Sequence, residues 1–173
     1  QNKPLIYNQS TFINTKPGSG PRHITFSKDG KLAYSVEELA GMISVYDFSN
    51  NTLKEIQRIA THPDKITEGF ESSDVHISPD GKFLYATNRG KENNIAIFKV
   101  LNDGKLESIG YKKTGGKHPR TFAIDETGKF IIVTNVNSQD VTVFRRNLET
   151  GMLKKVGKPV KINPPTCVKI KMY

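Results

Sequence analysis

The sequence predicts an all-β protein built from repeated four-stranded units, and three observations support this. Related segments recur along the chain, with turn glycines at positions 30, 81 and 128, which are 51 and 47 residues apart. Each segment divides into four short runs that are typical of strands and are separated by turn signals. No segment keeps the apolar spacing of three and four residues that indicates a helix. Four antiparallel strands at a period near 50 residues are typical of one blade of a β-propeller.

The first two strands of each unit are predicted to form a hairpin. Two of the turns contain Asp-Gly, at positions 29–30 and 80–81, which is a strong hairpin signal because glycine accepts a positive φ. The first strand is a short apolar run that enters the turn, and we predict it at residues 23–27, 75–78 and 121–125. The second strand is β-branched or aromatic-rich, and we predict it at residues 31–36, 82–87 and 129–134.

The third and fourth strands complete each unit. The third strand has an alternating pattern, and we predict it at residues 43–46, 95–98 and 141–144. The fourth strand is more polar, and we predict it at residues 53–60, 105–112 and 153–161. The fourth strand is outermost in a blade, so we interpret its lysines as edge charges that block pairing with other chains.

These strands give three blades at about residues 21–61, 72–113 and 118–162. Residues 1–20 and 163–173 are predicted to belong to flanking blades, so the whole chain is one partial β-propeller domain. A ring of about seven such blades needs roughly 340 residues. An open arc exposes two apolar blade faces, and we therefore expect either self-association through these faces or further blades in a longer protein.

Composition excludes several classes of protein. No run approaches the roughly 18 apolar residues of a membrane span, so no membrane partner is predicted. Residues 1–20 contain no basic segment followed by an apolar one, and thus no visible signal peptide. We therefore expect a cytoplasmic location, with a periplasmic one left open if a signal has been removed. The single cysteine, Cys167, rules out an internal disulfide.

The net charge of +9 is unevenly distributed along the chain. Residues 111–173 contain 13 of the 26 basic side chains but 4 of the 17 acidic ones. Such an excess can attract an acidic partner or a nucleic acid. The lysines at 154, 155, 158 and 161 fall on a predicted outer strand, however. We interpret them as solvated and predict no nucleic-acid partner.

The repeat register brings polar residues to one end of the ring. The first strand of a blade lines the central channel and the second returns beside it, so the start of one and the end of the other share a rim. The residues expected at this mouth are Arg22, His23, Glu38, Asp74, Arg89, His118 and Arg120. Charges beside a narrow channel need a partner or a ligand. The mouth is therefore either an active site or a ring of ion pairs that joins neighbouring blades.

Other chemistries have little support in the sequence. There is no close-spaced Cys/His set for zinc, no Gly-x-Ser-x-Gly turn and no phosphate loop that ends in Gly-Lys-Ser/Thr, so neither a metal nor a cofactor is predicted. His76 lies one strand position deeper than the mouth and is interpreted as a hydrogen-bonded channel residue rather than a catalytic one. His62 lies in a polar loop and is assigned no role.

Five motifs in combination resemble one known family. They are Gly20-Pro21-Arg22-His23, Val36-Glu37-Glu38-Leu39, Asp74-Val75-His76-Ile77-Ser78-Pro79-Asp80-Gly81, Thr87-Asn88-Arg89-Gly90 and His118-Pro119-Arg120. Over essentially its whole length, the chain resembles the C-terminal half of the seven-bladed lactonases. That family includes the propeller-type 6-phosphogluconolactonases and the fungal 3-carboxy-cis,cis-muconate lactonizing enzyme.

The resemblance implies a hydrolase of carbohydrate metabolism that opens a small anionic sugar lactone. Matching motifs imply catalytic roles for Glu38, Arg22 and Arg89. Glu38 would act as general base toward water, and the arginines would stabilise the oxyanion and hold an anionic group. The residues expected to bind substrate are His23, His76, Asp74, His118 and Arg120.

Two other functions stay open. The same groups could run a muconate-type lactonizing (cycloisomerase) reaction, or the propeller could bind a partner without catalysis. A further family histidine belongs to an earlier blade outside these residues, which implies that this chain alone is inactive.

Overall fold

A computed structural model describes residues 12–50 and 52–171, and within these ranges the chain forms twelve β-strands and no helix. Blade 1 consists of β1 (Pro21–Phe26), β2 (Leu32–Glu37), β3 (Met42–Asp47) and β4 (Lys54–Ala60). Blade 2 consists of β5 (Ser72–Ile77), β6 (Phe83–Asn88), β7 (Asn94–Val100) and β8 (Leu106–Lys113). Blade 3 consists of β9 (Pro119–Ile124), β10 (Phe130–Asn135), β11 (Asp140–Arg146) and β12 (Leu153–Lys161).

Each blade is a separate antiparallel sheet whose four strands lie in sequence order. This arrangement confirms the predicted all-β fold of four-stranded blades. Every predicted strand is present, and the largest difference is at β5, which begins at Ser72 rather than at residue 75. The reason is that the backbone ladder continues past the apolar run to the polar rim, where Ser72 pairs with Asn88.

The hairpin turns between first and second strands share one geometry. Gly30, Gly81 and Gly128 have φ values of 71°, 70° and 68°, a region that glycine occupies without steric cost. The third turn lacks the Asp-Gly pair and is held differently. There the Asp125 carboxylate accepts a hydrogen bond from the Phe130 N–H at 2.6 Å, the bond that the serine hydroxyl at the equivalent position accepts in the other two turns. The Thr127 hydroxyl takes the place of the turn aspartate and accepts from the Lys129 N–H at 3.3 Å.

The hydrophobic core lies between the blades rather than within them. Successive side chains of a strand point to opposite faces, so β6 sends Leu84 and Ala86 toward blade 1, and Phe83 and Tyr85 toward blade 3. Blade 2 is therefore buried on both faces, and the interfaces between blades carry most of the apolar packing.

Two equivalent tyrosines lock neighbouring blades together. The hydroxyl of Tyr34 donates to the Gly104 carbonyl of blade 2 at 3.1 Å, and that of Tyr85 donates to the Gly151 carbonyl of blade 3 at 2.8 Å. Burial raises the pKa of each phenol to about 12. Both hydroxyls are therefore protonated donors over the physiological pH range.

The flanking-blade prediction is only partly accessible. Residues 1–11 and 172–173 lie outside the described residues, and residues 12–20 and 162–171 contain no strand. The segment 163–171 reaches β9, where the Thr121 hydroxyl donates to the Thr166 carbonyl at 3.4 Å. The first strand of a blade pairs with the second strand of the same blade, and the described residues contain no such second strand for the segment 163–171. Membership of residues 1–20 and 163–173 in flanking blades therefore stays a prediction.

The outer surface of blade 3 combines charge with exposed apolar side chains. The predicted lysines at 154, 155, 158 and 161 lie on β12, the outermost strand of the sheet. Val156 and Val160 on the same strand are 41% and 60% exposed. Self-association through such a face stays a prediction. No helix in the described ranges is long and apolar enough to cross a membrane.

Candidate active site

The predicted mouth residues lie at one end of the blades, where first strands begin and second strands end. Arg22 and His23 are on β1 and Asp74 is on β5, the innermost strands of blades 1 and 2. Glu38 directly follows β2, and Arg89 directly follows β6. Hydrogen bonds and ion pairs connect these five side chains in one group that spans both blades.

The turn that carries Glu38 is anchored on both sides by backbone hydrogen bonds. The Glu38 N–H donates to the Gly20 carbonyl at 2.7 Å, and its carbonyl accepts from the Ser72 N–H at 3.1 Å. Gly20 has a φ of 63°, and a Cβ at this position would lie 2.8 Å from the Leu39 side chain. Glycine is therefore required where the chain passes beneath Glu38.

The Glu38 carboxylate lies between two arginines from different blades. One oxygen forms an ion pair with Arg22 Nε at 3.6 Å, and the other accepts a hydrogen bond from Arg89 Nη2. The side chain of Glu38 is 32% exposed, whereas those of Arg22 and Arg89 are 15% and 9% exposed. The carboxylate thus reaches solvent from between two buried cations.

Both arginines keep an unused hydrogen-bond donor. The Nε–H groups of Arg22 and Arg89 are buried and have no hydrogen-bond acceptor, which is uncommon for a buried polar group. Burial lowers the pKa of Arg22, and the positive charges of Arg89 and Arg120 lower it further against the attraction of Glu38 and Asp74. The site therefore contains guanidinium groups whose hydrogen-bonding capacity is not fully used, and a guanidinium is suited to an anion.

Asp74 forms the centre of a second cluster beside the arginines. Its Oδ1 lies 2.6 Å from His23 Nδ1, and its Oδ2 lies 3.1 Å from His76 Nε2. Burial opposes the charge of Asp74, but hydrogen bonds from His76, His23 and the Phe122 amide lower the pKa of its carboxyl below the ordinary value. Asp74 is therefore a carboxylate held by two imidazoles, deeper in the channel than Glu38.

A cavity of about 320 Å³ opens beside this cluster. His23, Asp74 and His76 line one side, and residues 167–170 line the other. The His76 ring packs edge-on against Phe122 at 4.6 Å between centroids. His76 thus fits the predicted hydrogen-bonded channel residue, and its imidazole also faces the cavity.

Blade 3 contributes two residues to the mouth. His118 adopts a φ of 60°, and its N–H donates to Asn93 Oδ1 at 2.6 Å. Burial and the nearby charge of Arg89 lower the pKa of His118, with Arg120 adding to the effect and Glu71 opposing it. Arg120 is exposed and makes no ion pair with any described residue, so its guanidinium is available to a ligand.

The structure also reveals a buried polar network behind the mouth that the sequence did not indicate. His62, which was assigned no role, is 4% exposed, and its Nδ1 hydrogen-bonds to the Glu92 carboxylate. Its Nε2 lies 3.3 Å from Ser72 Oγ, next to the backbone contact that holds Glu38. The sequence places His62 in a polar loop, and in the structure Thr61 and His62 are buried whereas most of residues 63–71 are exposed.

One sequence signal could have drawn attention to this network. The connection from blade 1 to blade 2 spans residues 61–71, whereas that from blade 2 to blade 3 spans residues 114–118. The extra length allows His62 to pack under Gly41, where a Cβ would lie 2.5 Å from the imidazole ring. In the part of the chain that the structure describes, no group of three His, Cys, Asp or Glu side chains could hold a metal ion.

Comparison with known proteins gives a consistent result. Residues 2–170 match the family model described as "Lactonase, 7-bladed beta-propeller". The chain is 41% identical over 174 residues to a 6-phosphogluconolactonase of Formosa agariphila, which covers 99% of this chain and 49% of that protein. It is 35% identical over 170 residues to a 6-phosphogluconolactonase of Bacillus subtilis, which covers 96% of this chain and 48% of that protein.

A solved structure gives the same picture in three dimensions. The periplasmic gluconolactonase of Pseudomonas aeruginosa superposes with a TM-score of 0.86 at 34% identity, over 91% of this chain and 44% of that one. The chain therefore spans about half the length of the curated relatives that it matches.

Proposed function

Because the chain belongs to the family of seven-bladed β-propeller lactonases, we propose that the full-length protein hydrolyses a sugar lactone at the mouth formed by blades 1 to 3. Relatives at 35–41% identity that are named 6-phosphogluconolactonase support this activity. The proposed substrate is a small anionic lactone, with 6-phosphogluconolactone as the leading candidate.

The observation that carries the proposal is the position of Glu38 between Arg22 and Arg89. A carboxylate that reaches solvent can accept a proton from water. The arginines beside it keep Nε–H donors without hydrogen-bond acceptors. A base and cationic donors within one small group are what hydrolysis of an ester carbonyl requires.

The proposed reaction follows from these groups. Glu38 takes a proton from a water molecule while the water oxygen forms a bond to the lactone carbonyl carbon. The carbonyl oxygen becomes an oxyanion, which the Arg22 and Arg89 guanidinium groups stabilise through charge-assisted hydrogen bonds. The oxyanion then collapses, the bond to the ring oxygen breaks, and the proton returns from Glu38 to that oxygen. The products are a free hydroxyl and a carboxylic acid, which ionises.

The charge of the mouth supports an anionic substrate. Three arginines, Arg22, Arg89 and Arg120, lie around the mouth, and Arg120 makes no ion pair with any residue that the structure describes. A guanidinium fork is well suited to a phosphate or a carboxylate. His76 and His118 complete the proposed substrate-facing surface, with His23 and Asp74 behind it.

The compartment of the protein depends on this substrate. A phosphorylated lactone carries charge that a bilayer excludes, so its hydrolase belongs where the lactone is made, and we propose the cytoplasm. A periplasmic location stays as the alternative, since one relative is a periplasmic gluconolactonase. Cell fractionation of the source organism tests this assignment.

The test of the function uses the full-length protein with Glu38 changed to glutamine. We expect wild type to hydrolyse 6-phosphogluconolactone, with kcat falling roughly 10²–10⁴-fold in Glu38→Gln while KM changes little, because the amide keeps the shape but loses the base. Glu107→Gln, the same change on an exposed residue of β8, is the matched control and should retain full activity.

Three results would contradict the proposal. A Glu38→Gln enzyme within about threefold of the wild-type rate would make Glu38 a structural link between blades. A wild-type protein without lactone hydrolysis would favour partner binding, and formation of a lactone from an unsaturated acid would favour the lactonizing reaction.

A further inference from the structure

We infer that Asp74 and His23 are positioning residues that aim the Arg22 guanidinium, rather than residues that contact substrate. The inference deepens the proposed lactonase function and rests on it. It starts from an uninterrupted series of hydrogen bonds that runs from Asp74 through His23 to Arg22, and from Arg22 by ion pairing to Glu38.

Asp74 has no hydrogen-bonding capacity left for a substrate. An ionised carboxylate accepts about four hydrogen bonds. Oδ1 accepts from His23 Nδ1 at 2.6 Å and from the Val75 N–H at 3.0 Å. Oδ2 accepts from the Phe122 N–H at 3.0 Å and from His76 Nε2 at 3.1 Å. The side chain is 4% exposed, so Asp74 acts on the site only through its neighbours.

This saturation determines where His23 carries its proton. Its Nδ1 faces a carboxylate oxygen and must donate, so the neutral ring leaves a lone pair on Nε2. That nitrogen lies 3.0 Å from Arg22 Nη1, and a guanidinium can only donate. Neutral His23 with its proton on Nδ1 is therefore the one form that bonds to both neighbours at once.

Arg22 depends on this contact for its orientation. Its Nε has no hydrogen-bond acceptor, and the ion pair to Glu38 is long, at 3.6 Å. Among the described residues, His23 provides the one hydrogen-bond acceptor of the Arg22 guanidinium group. Loss of that bond would let the fork turn away from the position of the oxyanion, and small displacements of such groups can cost about 10²-fold in rate.

The test compares two substitutions of His23 in the full-length enzyme. His23→Leu removes the acceptor, and we expect kcat to fall about 100-fold with KM changed less than threefold. Glutamine places an oxygen acceptor near the position of Nε2. His23→Gln should therefore keep kcat within about tenfold of wild type.

Asp74→Asn provides an independent arm. The amide nitrogen would face a donor, which forces the His23 proton onto Nε2 and toward Arg22, so kcat should fall about as far as in His23→Leu. Asp103→Asn, the same change on an exposed turn residue, is the matched control. Thermal melting of each variant separates loss of orientation from loss of fold.

Nitrogen NMR of labelled histidine in wild type tests the arrangement without any assay, and it should find Nε2 of His23 unprotonated near neutral pH. A proton on Nε2, or an effect of His23→Leu confined to KM, would overturn the positioning role while leaving lactonase activity intact. A wild-type enzyme with no lactonase activity would overturn the proposed function, and the hydrogen bonds from Asp74 through His23 to Arg22 would then have no catalytic role.

Discussion

Two kinds of arginine occur in this chain, and their hydrogen bonds distinguish a structural role from a functional one. Arg146 joins blade 3 to blade 2, with Nη2 at 2.5 Å from Asp80 and Nε at 2.6 Å from the Gly128 carbonyl. Its side chain is 1% exposed and its Nε is satisfied. Arg22 and Arg89 are also paired with a carboxylate but keep Nε donors without acceptors. A purely structural ion pair does not need such free donors.

Arg120 gives the first prediction at this scale. Its guanidinium is exposed and forms no ion pair with a described residue, and its charge acts on Arg22 and His118, so we expect it to hold the phosphate of the substrate. In the full-length enzyme, Arg120→Gln should raise KM for 6-phosphogluconolactone at least about tenfold, the equivalent of one charge-assisted bond, and leave kcat/KM for unphosphorylated gluconolactone unchanged. Arg145→Gln, on an exposed position of β11, is the control. Equal losses on both lactones would contradict a phosphate contact.

Counting along the repeat was enough to predict which single residues meet. Glu38 and Arg89 each lie eight positions after a turn glycine, and because the blades share one register, equal counts end at one rim. The count could not predict that every acceptor position of the Asp74 carboxylate is occupied, because one of them is filled by the Phe122 amide of blade 3. It also could not predict the burial of His62, which depends on the path of the loop that follows β4. Both features come from contacts between blades, which periodicity within a blade does not describe.

At the scale of elements, the strands were predictable because every blade repeats the same local signals. The turn at Gly128 shows that one signal can be absent without loss of geometry, since Asp125 takes the place of the serine of the other turns and Thr127 that of their aspartate. Strand ends were less predictable than strand centres. At β5 the ladder runs through polar Ser72, and an apolar pattern cannot mark such a boundary.

The link between the Asp80 turn and β11 gives a prediction on stability. Burial opposes the charge of Asp80, but hydrogen bonds from Arg146, Ser78 and the Lys82 amide outweigh it and lower the pKa of Asp80 to about 2, from an ordinary 3.8. A carboxyl group whose pKa is lowered by folding stabilises the folded state, and this stabilisation is complete at pH values above its ordinary pKa of 3.8. That stabilisation is lost as the pH falls from about 4 through 2.

Asp80→Asn removes this contribution and leaves the buried Arg146 charge without a carboxylate. Near neutral pH we expect the free energy of unfolding to fall by about 1–3 kcal/mol, measured by urea denaturation of the full-length protein. The gap to wild type should close as the pH falls from 4 to 2, since Asp80 itself is then protonated. A gap that is constant with pH would show that the substitution acts through turn geometry, and Asp103→Asn should change stability little at any pH.

At the scale of the whole molecule, the candidate site exists only because blades pack side by side. Glu38 comes from blade 1, Arg89 from blade 2, and His118 and Arg120 from blade 3. No single blade contains both a base and two cationic donors at the mouth. The contacts that hold the blades in place, such as the bond from Tyr34 to Gly104, therefore also determine the geometry of the site.

The same packing leaves a stripe of apolar side chains on the outward face of blade 3. Ile132 pairs with Val143, and Val143 pairs with Val156, across three adjacent strands. Their neighbours Ile131 and Phe144 point the other way and are buried against blade 2. We propose that a following blade covers this stripe in the full-length protein, since neighbouring blades cover the equivalent apolar faces between blades 1, 2 and 3.

One substitution should therefore have opposite effects in two forms of the protein. In the 173-residue chain alone, the stripe should drive concentration-dependent self-association, and Val156→Lys should weaken it by placing a charge on a face that is 41% exposed at this residue. In the full-length protein the same lysine would be buried beneath the next blade and should lower the free energy of unfolding by about 2 kcal/mol or more. Analytical ultracentrifugation measures the first effect and urea denaturation the second. Stability of the full-length protein that is unchanged by Val156→Lys would show that the stripe faces solvent, and that the blades continue elsewhere.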